Sequence, residues 1–237
     1  MAMDTTIITD APDASALYRL LAWLSPACPI GAFSYSHGLE RAVEEGLVQD
    51  RAGLVAYITT VLRAGAGRVD GALLAASWRA AAAGRENALD AVAVLAAAWR
   101  GTAETALETM QQGTAFAAVI QAAWPEPRFG AFAARHPRRL AHPVAFGAAA
   151  AFHRVPLRPA LAGWLAAFAA NLVSAGVRLV PLGQTDGQIA TAALHPAVEE
   201  AADAGLTADL DRLGSATPML DLLSMRHETQ YTRLFRS

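Results

Sequence analysis

The chain has 237 residues, which suits one large domain or two small ones, and at 54% hydrophobic it can bury a sizeable core. The formal net charge of −2 gives no global drive toward nucleic acid, and all nineteen basic residues are arginine. Without lysine there is no phosphate-binding Walker lysine, no Schiff base and no lysine general base, which speaks against a nucleotide-hydrolysing P-loop enzyme. Aromatic residues make up only 7%, so the core must be mostly alanine, leucine and valine, a composition that favours closely packed helices. Cys28 is the single cysteine, so there is no internal disulfide and a reducing cytoplasmic setting fits. The opening residues lack the basic and apolar regions of a signal peptide.

Residues 1–12 are short, polar and expected to be mobile. Asp13 can cap a helix from Ala14 to Leu24, with Leu17, Leu20, Leu21 and Leu24 as its apolar stripe. Next comes Ser25 to Glu40, the one early stretch where alanine gives way to chemically varied residues. Pro26 and Pro29 make it begin extended, Gly31 allows a tight bend, and Ser34 and Ser36 are candidate N-caps. The helix that follows is expected from about Ser34 to Glu45, with Ser36, Glu40 and Glu44 on its polar face.

Asp50 can cap a helix through about Arg63, and further helices fit Val69–Ala83, Glu86–Arg100 and Thr102–Trp124. Pro125 and Pro127 break the chain before a short helix over Phe129–Arg135. Pro143 suits the first turn of another helix, reaching about His153. A long helix runs from about Pro159 toward Val180, and a last long one after Pro181-Leu182-Gly183 reaches Ala204, with an interruption at Pro196. Val177–Leu182 is the only serious strand candidate. The fold class is all-α, about ten helices in a single domain over residues 13–213, with a partly disordered tail over 214–237 that orders on a partner. Pro159–Val177 carries no charge and approaches a membrane span in length, but alanine, glycine, Asn171 and Ser174 dilute it, so it reads as a core helix.

Charge is segregated: no acidic residue lies between Pro127 and Thr185, and no arginine between Asp186 and Asp211. The two stretches either face each other or leave a basic surface for an acidic protein. The seven candidate metal ligands, Cys28 and the six histidines, show no i, i+4 histidine pair and no Cys-x-x-Cys, so a permanent metal site is not expected. Cys28 and His37 could touch a metal in passing, though a buried cysteine and a satisfied histidine are the plainer reading. The serines lack a nucleophile-elbow pattern, leaving a small hydrolase built on Ser36 and His37 as the enzyme alternative and a membrane-associated helical protein as a third. Two later motifs are as dense as the first. In Asn171–Gln188, Arg178 complements a helix C-terminus, while Gln184, Thr185, Asp186 and Gln188 either cap a helix or form a recognition surface. In the tail, arginines stand beside Tyr231, Leu234 and Phe235, residue types that anchor interfaces.

The motifs Ser-Pro-x-x-Pro-Ile-Gly-Ala-Phe-Ser-Tyr-Ser-His-Gly-Leu-Glu, Asn-Leu-Val-Ser-Ala-x-Val-Arg-Leu-Val-Pro-Leu-Gly-Gln-Thr-Asp-Gly-Gln and Ser-Met-Arg-His-Glu-Thr-Gln-Tyr-x-Arg-Leu-Phe occur in that order, with His-Pro-Val-Ala-Phe-Gly at 142–147. Together they resemble the urease accessory protein F family, UreF. The resemblance implies a non-catalytic, all-helical and commonly dimeric assembly protein. It would bridge UreD (also called UreH) and the GTPase UreG, modulate GTP use by UreG, and help load nickel into apo-urease. It implies no permanently bound cofactor, nickel only in transit, and neither nucleic acid nor membrane as a partner. Carried onto this sequence, Arg226, Gln230, Tyr231, Arg233 and Phe235 would meet UreD. Tyr35, Ser36, Glu40, Arg178, Gln184, Asp186 and Gln188 would line the dimer and GTPase side.

Overall fold

The computed structural model describes residues 11–237, and every regular element among them is helical. In order they are α1 (Ala14–Trp23), α2 (Leu39–Glu44), α3 (Arg51–Ala64), α4 (Ala66–Ala82), α5 (Glu86–Ala98) and α6 (Ala103–Ala123). There follow α7 (Pro127–Arg135), α8 (His142–Phe152), α9 (Leu157–Leu179), α10 (Gln184–Ala193), α11 (His195–Thr207) and α12 (Pro218–His227). Polar residues start many of them. Asp13, Asp50, Thr102 and Glu126 each accept a backbone N–H from the first turn of α1, α3, α6 and α7.

The architecture is wrapped around α8. Every residue from His142 to Ala150 is buried, and α4, α6 and α9 pack against it. An uncharged helix of this kind must be covered on all sides. Small residues let the neighbours come close. A Cβ at Gly147 would lie 2.2 Å from the Ser77 hydroxyl and 2.4 Å from the Leu74 carbonyl oxygen of α4. One at Gly113 of α6 would lie 1.9 Å from the Leu140 carbonyl oxygen. At one end of α8, Trp23 meets Phe116, Phe146, Trp124 and His153 edge-on, with centroids 5.3 to 6.0 Å apart. Helix α9 buries Leu161, Trp164, Leu165, Leu172 and Gly176 along one face, so the long apolar segment is half core rather than uniformly exposed.

Several boundaries and faces differ from the sequence reading, each for a local reason. The strand candidate Val177–Leu182 is the end of α9 and its exit. The stripe of α1 turns: Leu20 is buried with Ala16 and Trp23, whereas Leu17 and Leu21 are exposed. The helix expected from Ser34 does not start there. Ala32–Ser34 forms a single 3₁₀ turn, His37 and Gly38 take left-handed φ values of 57° and 77°, and α2 begins only at Leu39. Gly38 takes that conformation at no steric cost. The His37 carbonyl accepts from the Tyr57 hydroxyl at 2.9 Å, which holds the turn. The last long helix is interrupted as expected at Pro196: it splits at Leu194, because Pro196 suits the first turn of α11 and not the interior of a longer helix.

The basic and acidic stretches partly face each other: Arg158 donates to Glu199 at 3.1 Å and to Asp203 at 2.9 Å. Asp186 and Glu200 pair with Arg51 and Arg63 of α3. After α12 the chain turns back, and residues 228–237 lie against α2, α6 and the Ser34–Ser36 segment.

Candidate functional site

The three motifs meet where the chain ends. Ser36 is fully buried, and its backbone N–H donates to the Ser237 main-chain oxygen at 2.6 Å. Its hydroxyl donates to the same oxygen and accepts from the Glu40 N–H at 3.3 Å. The Arg236 N–H donates to the Ser34 carbonyl at 2.8 Å, so the tail and the first motif bond backbone to backbone. Glu40, 7% exposed, takes the backbone N–H groups of Leu234 at 2.6 Å and Phe235 at 2.9 Å. The second motif reaches the same place through Arg178, whose guanidinium lies 4.4 Å from the centroid of the buried Phe235 ring and donates to the Phe33 carbonyl at 3.0 Å. Partial burial lowers the Arg178 pKa.

Below the tail, α2, α6 and α12 bring three ionisable groups together. The His227 ring has no exposed surface. Its Nε2 lies 2.9 Å from Glu40 and its Nδ1 lies 2.9 Å from both carboxylate oxygens of Glu104. Arg233 closes the group by donating to Glu104 at 3.1 Å. Burial opposes charge on His227, but the two carboxylates outweigh it and its pKa is raised. One turn along α6, Glu108 accepts from the Ser237 hydroxyl at 3.2 Å and lies 3.3 Å from His37 Nδ1. Burial lowers the His37 pKa while the Glu108 hydrogen bond raises it, and the net shift is upward. Farther in, Arg100 donates to Asp70 at 2.7 Å and to Thr109 at 3.3 Å, a pair less than a tenth exposed on each side. His142 is buried beside them, and burial pulls its pKa down to about 4, so it is neutral at pH 7.

These groups line adjoining spaces that share lining residues. A cavity of about 290 Å³ near Trp99, Thr217 and Ser224 and another of about 300 Å³ behind Ser25–Phe33 flank a chamber of about 20 Å³. His37 and Arg100 line the first cavity and the chamber; Glu108, Gln112, His142 and Trp164 line the chamber and the second cavity. The buried Trp164 Nε1 has no protein partner.

The sequence-derived residues therefore separate into groups. Ser36, Glu40, Arg178, Arg233 and Phe235 converge, and Tyr35 joins them through a hydrogen bond from its hydroxyl to Gln111 on α6, the residue that also receives Arg236. Arg226 and Gln230 lie beside the group, Arg226 bonded to Glu45 at 3.1 Å and Gln230 to the Thr232 carbonyl at 3.2 Å. Tyr231 is fully exposed. Gln184 and Gln188 are exposed on α10, where Asp186 holds Arg51 at 2.6 Å and accepts the Gly183 N–H at 3.4 Å. No hydrogen bond among the described residues links them to Arg178.

Ser36 donates to the tail and not to His37, so the pair lacks the nucleophile–base bond a hydrolase needs. Cys28 and His37 line different cavities, and among the described residues no three His, Cys, Asp or Glu side chains are arranged to hold a metal ion. Burial raises the Cys28 pKa, which makes it a poorer ligand at neutral pH. Glu104 and Glu108 were not singled out from sequence. The signal was present: Glu104, Glu108 and Gln112 fall at i, i+4 and i+8, a polar line on a helix whose other buried residues are mainly apolar or small.

The model of the UreF family matches residues 48–195. A "Urease accessory protein UreF" of Granulibacter bethesdensis is 63% identical over 97% of both chains. Proteins of that name from Rhodopseudomonas palustris strain BisB5 and Bradyrhizobium diazoefficiens are 52% and 49% identical over 96% of this chain, covering 93% and 94% of theirs. The chain belongs to the UreF family of urease accessory proteins.

Proposed function

We propose that this chain is a non-catalytic chaperone of urease maturation, bridging UreD and the GTPase UreG, modulating GTP use by UreG and helping nickel reach apo-urease in the cytoplasm. The observation that carries this reading is the build of the C-terminal region. Its inner face is locked into the core through Glu40, Ser36 and Arg178, while Met219, Leu222, Met225, Tyr231 and Leu234 stand exposed on the outside. Apolar side chains held outward on an anchored element favour a protein partner over solvent. UreD is the partner assigned to that face. Gln184, Gln188 and the neighbouring exposed Ile189 are assigned to the dimer and UreG side.

The adjoining cavities support nickel in transit. Their carboxylate, imidazole and amide groups suit a divalent ion, yet they do not gather into a site that would hold one. Affinity capture of the tagged chain co-expressed with UreD, UreG and urease tests the proposal. Recovery of both accessory proteins, together with urease that stays nickel-poor when the chain is deleted, is the expected result. Failure to capture either protein, with normal urease activity after deletion, refutes it.

A further inference from the structure

We infer that His227 in its protonated form is a clasp, and that loss of its proton releases residues 228–237 from the body of the chain. The argument begins with hydrogen-bond capacity. A neutral imidazole has one donor and one acceptor, whereas both ring nitrogens of His227 face carboxylates at 2.9 Å. Those carboxylates have no donor role to spare. Glu40 already accepts the Leu234 and Phe235 N–H groups, one on each oxygen, and Glu104 accepts from Arg233. Ionised carboxylates only accept, so both His227 nitrogens must donate, and the ring is an imidazolium.

The surroundings complete the charge account. Glu40 on α2 and Glu104 on α6 face the ring, Arg233 of the tail shares Glu104, and Glu108 with His37 stands one turn farther along α6. Arg226, on α12 itself, is occupied by Glu45, and Arg178 of α9 lies over Phe235. Two buried acids are thus matched by one buried and one half-exposed base. Removing the imidazolium proton turns a donor into a lone pair facing a carboxylate less than a tenth exposed, and leaves excess negative charge. The element that depends most directly on this group is the tail, because the Leu234 and Phe235 N–H groups and the Arg233 guanidinium all end on the two carboxylates.

The sign follows from the raised pKa. A base held above its ordinary value of 6.5 in the folded chain stabilises that state fully below 6.5, and the contribution is lost as pH rises through the folded value. Between the two values the tail-opening constant rises about tenfold per pH unit, then levels off. This clasp does not depend on the role in urease maturation, and it can fail or stand while that role is tested separately.

The test is nuclear magnetic resonance on the full chain. At pH 6 the His227 ring should show both nitrogens protonated. Amide protection of Leu234 and Phe235, normalised for intrinsic exchange, should fall by tenfold or more between pH 6 and pH 9 while amides of α8 stay protected. In His227→Gln the tail amides should be unprotected at both pH values, with the helical circular dichroism retained. A neutral His227 ring at pH 6, or tail protection equal at pH 6 and 9, overturns the inference. If His227→Gln does not fold, the wild-type titration decides alone.

Discussion

Replacing Glu40 by glutamine tests the tail anchor with almost no change of shape. Glu40 receives three donors: the Leu234 and Phe235 N–H groups and the His227 ring. A glutamine side chain keeps one oxygen and turns an N–H₂ group toward whichever donors faced the other. It also removes one of the two carboxylates that hold the buried imidazolium. Breaking a buried ion pair by removing one partner costs about 3–5 kcal/mol, and an orphaned buried donor costs about 1–3 kcal/mol. The terms overlap, so a total of about 3–5 kcal/mol is expected, a large share of the roughly 5–15 kcal/mol that holds a typical domain. At about 2–4 °C per kcal/mol for a chain of this size, Tm should fall by roughly 6–20 °C. Glu108→Gln is the matched control, since its bonds to Ser237 and His37 are longer, at 3.2 and 3.3 Å, and it should cost about 1 kcal/mol. Thermal unfolding followed by circular dichroism, with exchange at Leu234 and Phe235, reads both variants. If Glu40→Gln unfolds within about 1 kcal/mol of wild type, the carboxylate is not the anchor described.

Gly113→Ala should destabilise by about 1–3 kcal/mol or more, because its Cβ would lie 1.9 Å from the Leu140 carbonyl oxygen; denaturant titration checks this. Acid should weaken the fold below pH 6.5, since His142 is neutral at pH 7 with a pKa of about 4, and protonation in the unfolded chain draws stability away by roughly 3 kcal/mol by pH 4. His142→Leu should flatten that acid limb in urea midpoints taken from pH 7 to pH 4. Tyr231→Ala with Leu234→Ala should leave stability within about 0.5 kcal/mol of wild type, because both side chains are exposed, yet should reduce capture of UreD severalfold. Cys28 should react with a thiol reagent more slowly than a free cysteine at pH 7, because burial raises its pKa.

Elements governed by short-range rules were legible in the sequence. Asp13, Asp50 and Thr102 cap the helices they were expected to start, since a cap needs only a side chain and the next three residues. The face of α1 was not legible, because Leu17 and Leu21 have the same character as Leu20 and only the packing of Trp23 against Phe116 and Phe146 decides which points inward. The start of α2 was missed because Ser36 gives its N–H and hydroxyl to Ser237, a residue 201 positions away. His227 could be named as a histidine in a dense motif, but its role depends on carboxylates 123 and 187 residues distant. Of the site, the sequence revealed the segments that matter and not the contacts between them. Motif spacing carries no information about which buried charge balances which.

The joining of Ser36 and Glu40 to Phe235 and Ser237 bears on synthesis as well as on the finished molecule. The acids at positions 40, 104 and 108 leave the ribosome long before the groups that neutralise or cover them. A nascent chain can assemble α3 to α9 around α8, yet it carries uncompensated carboxylates until residues 227–237 arrive. Closure of the cluster thus waits on the synthesis of residues 227–237. A chain truncated before His227 would keep a nearly whole helical body with an open, acidic seam, a looser state that quality-control proteases distinguish from the folded protein.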